Sequence, residues 1–262
     1  MLSPTQLVKL AESAGAAILE IYGRPGPVSV SSKSDHSPLT DADHRSHAII
    51  VEGLARLSPE YPVVSEEDDG RPVDADIFWL VDPLDGTKEF VKKTGEFTVN
   101  IALIEHGVPT AGVVHAPALR RTWVTVDGGA EVHDDSGVKT LRVSQPADIA
   151  APRLVASRDH AGPQVAALLA RVPGATTLSM GSSLKFCLVA EGRADLYFRD
   201  GPTMPWDTAA AHAVLRAAGG DVLALSGEPL RYREPRTLNP HFVALGDLGF
   251  PWATLLFPQE KP

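Results

Sequence analysis

The chain has 262 residues, 44% of them hydrophobic and 22% charged, an ordinary composition for a globular protein with an ample core. Its formal net charge of −9, from 24 basic and 33 acidic residues, argues against a general binder of nucleic acid or of acidic membranes. The single cysteine, Cys187, excludes an internal disulfide framework and any cysteine-built zinc or iron–sulfur site.

The first half of the chain predicts two helices and a strand-rich region. A Ser-Pro-Thr-Gln start at residues 3–6, followed by apolar residues at helical spacing, predicts a helix that ends near Gly23. A second helix is predicted over residues 40–57. Short strands are predicted at residues 28–31, 62–65, 78–81, 98–104, 111–115, 122–126 and 141–144.

The second half of the chain alternates strands and helices. We expect one domain, residues 1–262, whose halves 1–147 and 148–262 join within residues 145–152. The Pro-rich end, residues 251–262, is expected to be poorly ordered. Helices are predicted at residues 163–171, 182–191 and 207–218, and strands at residues 154–156, 177–180, 195–198, 221–225 and 242–245. This order of elements favours a mixed α/β (α+β) fold in which two α/β layers share one core.

The central feature of the sequence is an apolar run that leads into Asp-Pro-Leu-Asp-Gly-Thr over residues 78–87. The run predicts a strand buried on both faces, which Pro83 is expected to end, and Gly86 permits a positive φ after it. Asp82 and Asp85 would repel each other unless a cation lies between them, and carboxylate oxygens are the ligands that Mg²⁺ or Mn²⁺ prefers. The alternative is that both aspartates are ordinary turn formers.

Three further acidic positions follow a predicted strand or begin a predicted helix. Glu66 belongs to an acidic run that a solvated loop would also explain. Asp43, three residues after Thr40, has the position of a helix capping box. Asp207 begins an Ala-rich helix, where a role as N-cap alone would explain it. Each position is ambiguous singly, but the combination is specific.

The combination strongly resembles the lithium-sensitive, magnesium-dependent phosphatase superfamily that includes the inositol monophosphatases. The signature is Glu-Glu after a strand (66–67), the Asp-Pro-Leu-Asp-Gly-Thr motif (82–87) and a late Trp-Asp (206–207). Longer stretches resemble the bacterial 3′(2′),5′-bisphosphate nucleotidases of the CysQ type, namely residues 79–90, 95–100 and 181–192. This resemblance covers most of the chain and implies a layered αβαβα sandwich.

The resemblance also implies a set of metal ligands. Glu66, Asp82 and the backbone carbonyl of Leu84 would hold one Mg²⁺ ion. Asp82, Asp85 and Asp207 would hold a second. The resemblance further implies two or three Mg²⁺ ions, replacement by Mn²⁺, and inhibition by Li⁺ and Ca²⁺.

Catalytic and substrate contacts follow from the same resemblance. Asp43 would lie beside the nucleophilic water and help to bind a third ion, and the implied catalytic set is Asp43, Thr87 and Glu66. The phosphate would meet backbone N–H groups at the start of a helix. The implied substrate-binding residues are Glu66, Leu84, Asp85, Gly86, Thr87, Ser157, His160, Gly181, Lys185 and Asp207. The apolar neighbours of Lys185 independently favour a lysine that faces a pocket.

The expected activity is hydrolysis of adenosine 3′,5′-bisphosphate to AMP and phosphate, with the 3′-phosphate-bearing sulfonucleotide as a further candidate substrate. The alternatives are the same two-metal chemistry on inositol monophosphate or fructose 1,6-bisphosphate, and a metal or nucleotide sensor without turnover. We expect a monomer or homodimer with no nucleic-acid partner and no transmembrane segment. The N-terminus lacks a secretory pattern, so a cytoplasmic location is expected, or by resemblance a peripheral one at the inner face of the cell membrane.

Overall fold

The computed structural model describes residues 2–26, 31–32, 38–68, 73–145, 147–156 and 163–257. The helices are α1 (Pro4–Tyr22), α2 (Asp41–Leu57), α3 (Thr87–Val91), α4 (Pro163–Arg171), α5 (Leu184–Ala190), α6 (Pro205–Ala217) and α7 (Trp252–Leu256), with a 3₁₀ turn at Pro117–Leu119. The strands are β1 (Ser31–Ser32), β2 (Pro38–Leu39), β3 (Val63–Ser65), β4 (Ile77–Asp85), β5 (Thr98–Glu105), β6 (Val108–Ala116), β7 (Arg121–Val126), β8 (Gly129–Asp134), β9 (Gly137–Thr140), β10 (Arg153–Ala156), β11 (Thr176–Ser179), β12 (Leu196–Arg199), β13 (Asp221–Ala224) and β14 (Phe242–Leu245). None of the described helices is both long and apolar enough to cross a membrane.

These elements stack in five layers. Helices α1 and α2 cover one face of a seven-stranded sheet, and α6, with α5 beside it, covers the other face. A five-stranded sheet packs against α5 and α6 with one face and against α4 and α7 with the other. Along β10, for example, Val155 faces the central core and Leu154 faces the core with α4 and α7. The predicted mixed α/β class and the αβαβα sandwich are therefore confirmed.

The order of the strands explains where a site can form. The first sheet runs β3-β4-β5-β6-β7-β8-β9, and the second runs β11-β10-β12-β14-β13. The chain therefore completes the first sheet before it enters the second, and α5 and α6 lie between the two sheets. Loops that follow β3 and β4 can meet the starts of α5 and α6 there.

The predicted starts of the first two helices are confirmed. Ser3 caps α1, because its Oγ accepts a hydrogen bond from the Gln6 N–H at 3.3 Å while Gln6 Oε1 accepts one from the Ser3 N–H at 3.0 Å. Thr40 caps α2, and its Oγ1 accepts a hydrogen bond from the Ala42 N–H at 3.1 Å. Both signals act within one helical turn, so the sequence alone suffices to find them.

The prediction that Pro83 ends the central strand was wrong. Strand β4 continues to Asp85, and its buried stretch includes the proline. In the pairing of β4 with β5, a register shift separates the Asp82–Asn100 pair from the Asp85–Thr98 pair. Pro83 lies within this bulge, where its missing N–H breaks no hydrogen bond between the strands.

Two further corrections concern less regular parts of the chain. The strand predicted at residues 141–144 is absent, and the chain instead forms a β8–β9 hairpin just before these residues. Strand β9 was not predicted, because its four residues are all exposed and show no alternation of buried and exposed positions. The Pro-rich end contains α7, in which Trp252 and Leu256 are buried, while residues 258–262 lie outside the described part. Most of the strand predicted at residues 28–31 also lies outside it.

Candidate active site

The two aspartates of the central motif lie on either side of the β4 bulge. Asp82 is 1% exposed, and its Oδ1 accepts a hydrogen bond from the Leu84 N–H at 3.0 Å. Gly86 follows Asp85 with a φ of 90°, as predicted, and a Cβ on it would lie 3.1 Å from the Glu96 carbonyl oxygen. The strand thus brings two carboxylates directly to the start of α3.

Helix α2 contacts the same motif with two side chains. Asp43 Oδ2 accepts a hydrogen bond from the Thr40 N–H at 2.8 Å, and Asp43 Oδ1 accepts one from Thr87 Oγ1 at 3.3 Å. One turn later, Ser46 Oγ donates to the Pro83 carbonyl at 2.6 Å. Asp43 is therefore both a capping residue and the partner of the motif threonine, so the two interpretations of this residue are compatible.

Glu66 lies in a tight turn after β3. Its N–H donates to the Val81 carbonyl at 3.1 Å, which fixes the turn beside β4. The Ser65 N–H donates to Asp68 Oδ2 at 2.9 Å, and Ser65 Oγ lies 2.9 Å from His47 Nδ1. His47 is half-buried and links α2 to this turn.

A turn before α5 joins the central motif to α6. Asp85 Oδ2 accepts hydrogen bonds from Ser182 Oγ at 2.5 Å and from the Ser183 N–H at 2.7 Å. Ser183 Oγ also lies 2.9 Å from the Asp207 carbonyl oxygen. Ser182 has a φ of 52°, a left-handed conformation that residues other than glycine seldom adopt. The hydrogen bonds to Asp85 stabilise the turn in this conformation.

Four carboxylates are close enough to affect one another. Burial raises the pKa of Asp82 well above its ordinary value, and the negative charges of Glu66, Asp85 and Asp207 raise that pKa further. Burial also raises the pKa of Asp207 to about 8, with the charge of Asp85 as the next cause. This mutual repulsion is relieved by a proton or by a bound cation.

The donor set fits a hard divalent cation, because every donor is a carboxylate or carbonyl oxygen. Within the described ranges, no three His, Cys, Asp or Glu side chains are grouped closely enough to form a finished cation site. Asp85 instead faces the serine turn, and Asp207 Oδ2 accepts a hydrogen bond from the Met204 N–H at 2.8 Å. These bonds use only one oxygen of each carboxylate, and both residues line the cavity described next.

A cavity of about 310 Å³ lies beside these carboxylates, and Asp85 and Asp207 form part of its lining. The lining also includes three cations, Lys88, Lys185 and Arg199, and a third acid, Glu89. Lys185 is 8% exposed, its Nζ donates to the Ser182 carbonyl at 2.6 Å, and burial lowers its pKa to about 8. The buried Nε of Arg199 has no hydrogen-bond partner among the described residues. A ligand that carries more than one negative charge fits this lining.

The structure brings most of the predicted site residues together. The predicted residues that line the cavity are Asp85, Gly86, Gly181, Lys185 and Asp207. Ser157 and His160 lie outside the described residues. The residues that sequence reasoning missed are Ser182, Ser183, His47 and Arg199. The serines directly follow Gly181 before a predicted helix, which is a detectable signal, whereas Arg199 carries none beyond its place just after a predicted strand.

Comparisons with known sequences agree with this arrangement. The family model described as the inositol monophosphatase family matches residues 4–248. A protein from Escherichia coli (strain K12), named 3′(2′),5′-bisphosphate nucleotidase CysQ, is 48% identical over 244 residues, which cover 90% of this chain and 97% of that relative. The protein of the same name from Haemophilus influenzae is 34% identical, and the match covers 95% of each chain.

Comparisons with solved structures give the same result. CysQ from Bacteroides thetaiotaomicron, described as a bacterial member of the inositol monophosphatase family, superimposes with a TM-score of 0.79 at 39% identity, covering 92% of this chain and 96% of that one. An IMPase from Thermotoga maritima has a TM-score of 0.77 at 26% identity, covering 95% and 93%. The chain belongs to the inositol monophosphatase family.

Proposed function

We propose that this protein is a magnesium-dependent 3′(2′),5′-bisphosphate nucleotidase that hydrolyses adenosine 3′,5′-bisphosphate to AMP and phosphate. The observation that carries the proposal is the cavity in which Asp85 and Asp207 lie with Lys185 and Arg199. Carboxylates suit metal ions at the scissile phosphate, and two cations suit a second phosphate on the same substrate. The 48% identity to a relative named 3′(2′),5′-bisphosphate nucleotidase CysQ supports this substrate class.

The family consists of metal-dependent phosphatases, generally with Mg²⁺. We assign Glu66, Asp82 and the Leu84 carbonyl to one ion. Asp82 would also help to hold a second ion, together with Asp85 and Asp207. When bound, such ions stabilise the attacking and leaving oxygens of an in-line displacement and lower the pKa of water. The raised pKa of Asp82 supports the assignment, because bound cations would neutralise the charges that raise it.

Thr87 and Asp43 orient the attacking water in this proposal. Thr87 Oγ1 lies 3.3 Å from Asp43 Oδ1 and 3.4 Å from the Leu84 carbonyl. Its one proton is donated to one of these oxygens, so a lone pair remains to accept a hydrogen bond from water. Asp43 is 1% exposed and its Oδ2 is held by the Thr40 N–H, which fixes the direction of this relay. Glu66 completes the proposed catalytic set.

The substrate is held at both ends in this proposal. The scissile phosphate meets the backbone N–H groups of Gly86 and Thr87, and the second phosphate lies against Lys185 and Arg199. Inositol monophosphate has only one phosphate, so it offers no second anionic group to Lys185 and Arg199. Further proposed contacts are Gly181, Ser157 and His160.

Phosphate release from a panel of substrates tests the proposal. With Mg²⁺, we expect kcat/KM to be highest for adenosine 3′,5′-bisphosphate, with the 3′-phosphate-bearing sulfonucleotide accepted as well. A preference for inositol monophosphate or fructose 1,6-bisphosphate would refute the assignment of the nucleotide as substrate. Tight nucleotide binding without turnover would indicate a sensor. We expect Mn²⁺ to replace Mg²⁺, and Li⁺ and Ca²⁺ to inhibit. Light scattering after gel filtration distinguishes a monomer from a homodimer.

A further inference from the structure

We propose that residues 236–239, which precede β14 and are called the clamp segment below, hold the two metal-carrying turns in register. Arg236 and Asn239 act as positioning residues for Glu66 and Asp207. The inference rests on the proposed function, because it concerns the ligands assigned there. It adds two residues that touch neither the reacting atoms nor the proposed ions.

Arg236 holds the turn that carries Glu66. Its Nη2 donates to both oxygens of Asp68, at 2.5 Å to Oδ1 and 2.7 Å to Oδ2. Asp68 Oδ2 also accepts the Ser65 N–H at 2.9 Å, and the Asp68 N–H donates to the Ser65 carbonyl at 3.3 Å. Because Glu66 lies between Ser65 and Asp68 in the chain, this closed turn sets its direction. The Arg236 and Asp68 side chains are only 28% and 22% exposed, so water screens the ion pair incompletely.

Asn239 holds the turn that carries Asp207. Its Nδ2 lies 2.9 Å from the Met204 carbonyl oxygen and 3.1 Å from the Oγ1 atoms of Thr203 and Thr208. Its backbone N–H donates to the Thr203 carbonyl at 2.9 Å. Asp207 lies inside the stretch that these bonds enclose, and its Oδ2 accepts the Met204 N–H. One side chain thus fixes both ends of the turn at the start of α6.

The clamp segment connects two turns that follow strands of different sheets, β3 of the first and β12 of the second. Arg236 and Asp68 are 168 residues apart in sequence, and no strand pairing links β3 to the start of α6 among the described elements. Residues that orient metal ligands from outside typically contribute about 10–100-fold to metal affinity. The clamp segment therefore preorganises the site.

The test compares Arg236→Met, Asn239→Ala and the double variant with Arg231→Met, an exposed arginine just before the clamp segment. Calorimetry gives the Mg²⁺ affinity, and phosphate release from adenosine 3′,5′-bisphosphate gives kcat and the Mg²⁺ concentration for half-maximal rate. The melting temperature in EDTA reports general stability. We expect each single variant to bind Mg²⁺ about 10-fold more weakly or worse and to regain kcat near that of the wild type at saturating Mg²⁺. The lost hydrogen bonds should lower the melting temperature in EDTA relative to Arg231→Met, and the return of kcat shows that the site is still folded.

The double variant distinguishes one clamp from two unrelated contacts. Release of either end frees the whole segment, so we expect the double variant to be little worse than the weaker single variant. Effects that multiply, or single variants that bind Mg²⁺ like the control, would overturn the clamp. If the wild type neither binds Mg²⁺ nor releases phosphate, the proposed function fails and the clamp fails with it. If the wild type does both while the variants are unaffected, only the clamp is refuted.

Discussion

Replacement of Asp82 by asparagine should abolish nearly all turnover and yet stabilise the protein in the absence of metal. The carboxylate is 1% exposed and faces negative charge from Glu66, Asp85 and Asp207. Asparagine has the same shape and can still accept the Leu84 N–H hydrogen bond that Asp82 Oδ1 accepts at 3.0 Å. The substitution therefore removes a buried charge without removing the acceptor that the local backbone needs.

The size of the effect follows from the charges around this side chain. Two unit charges 5 Å apart interact with about 3 kcal/mol at an effective dielectric constant of about 20. Burial adds to the free-energy cost of a charged Asp82 carboxylate, and the charges of Glu66, Asp85 and Asp207 each contribute to that cost. Protonation limits the total, because a carboxyl in such a site binds a proton instead of staying charged. We therefore expect Asp82→Asn to raise the free energy of unfolding in EDTA by about 1–3 kcal/mol near neutral pH.

Urea denaturation in EDTA and in Mg²⁺, together with phosphate release, measures both consequences. Asp127→Asn is the matched control, since Asp127 is exposed in the β7–β8 turn. Mg²⁺ should stabilise the wild type and the control but not Asp82→Asn, which lacks the shared ligand. If the metal-free Asp82→Asn protein is less stable than the control, the carboxylates do not repel each other as inferred. Near-normal turnover would rule out the bridging role.

Three further predictions address the substrate, the packing of α6 and the pH dependence of stability. Lys185→Ala should lower kcat/KM for adenosine 3′,5′-bisphosphate more than for inositol monophosphate, and equal losses would mean that Lys185 does not read the nucleotide. Gly112→Ala should lower the free energy of unfolding by about 1–3 kcal/mol, because the new Cβ would lie 2.6 Å from the Ala210 carbonyl oxygen. The control is Gly129→Ala, where the atom nearest to the new Cβ is 3.8 Å away. Similar losses of stability in the two variants would contradict the close packing of α6 on Gly112. Burial lowers the pKa of His115 to about 4, so its contribution to stability is complete above the ordinary histidine pKa and is lost as the pH falls toward 4, by about 3 kcal/mol. In urea denaturation, the free energy of unfolding of His115→Gln should change less with pH over this range than that of the wild type, whereas the exposed His106→Gln should behave like the wild type. Identical pH profiles for all three proteins would refute the role of His115.

The sequence determined the features that depend on a few neighbouring residues. Ser3 and Thr40 begin helices because their side chains satisfy backbone N–H groups one turn away. Gly86 adopts a positive φ because no Cβ hinders it. The acidic motifs were also visible in the sequence, and the family resemblance predicted that Glu66, Asp82, Asp85 and Asp207 would share one site.

Only the tertiary structure decided how these groups are held. Pro83 stays in β4 because pairing with β5 allows a bulge, which depends on a strand that comes later in the chain. The contact of Asp85 with Ser182 spans 97 residues, and that of Arg236 with Asp68 spans 168. Such pairs leave no local pattern, because residues far apart in sequence meet only after both sheets have packed around α5 and α6. The acidic candidates for metal binding were therefore readable from the sequence, while their support and the cationic lining at Arg199 were set by packing.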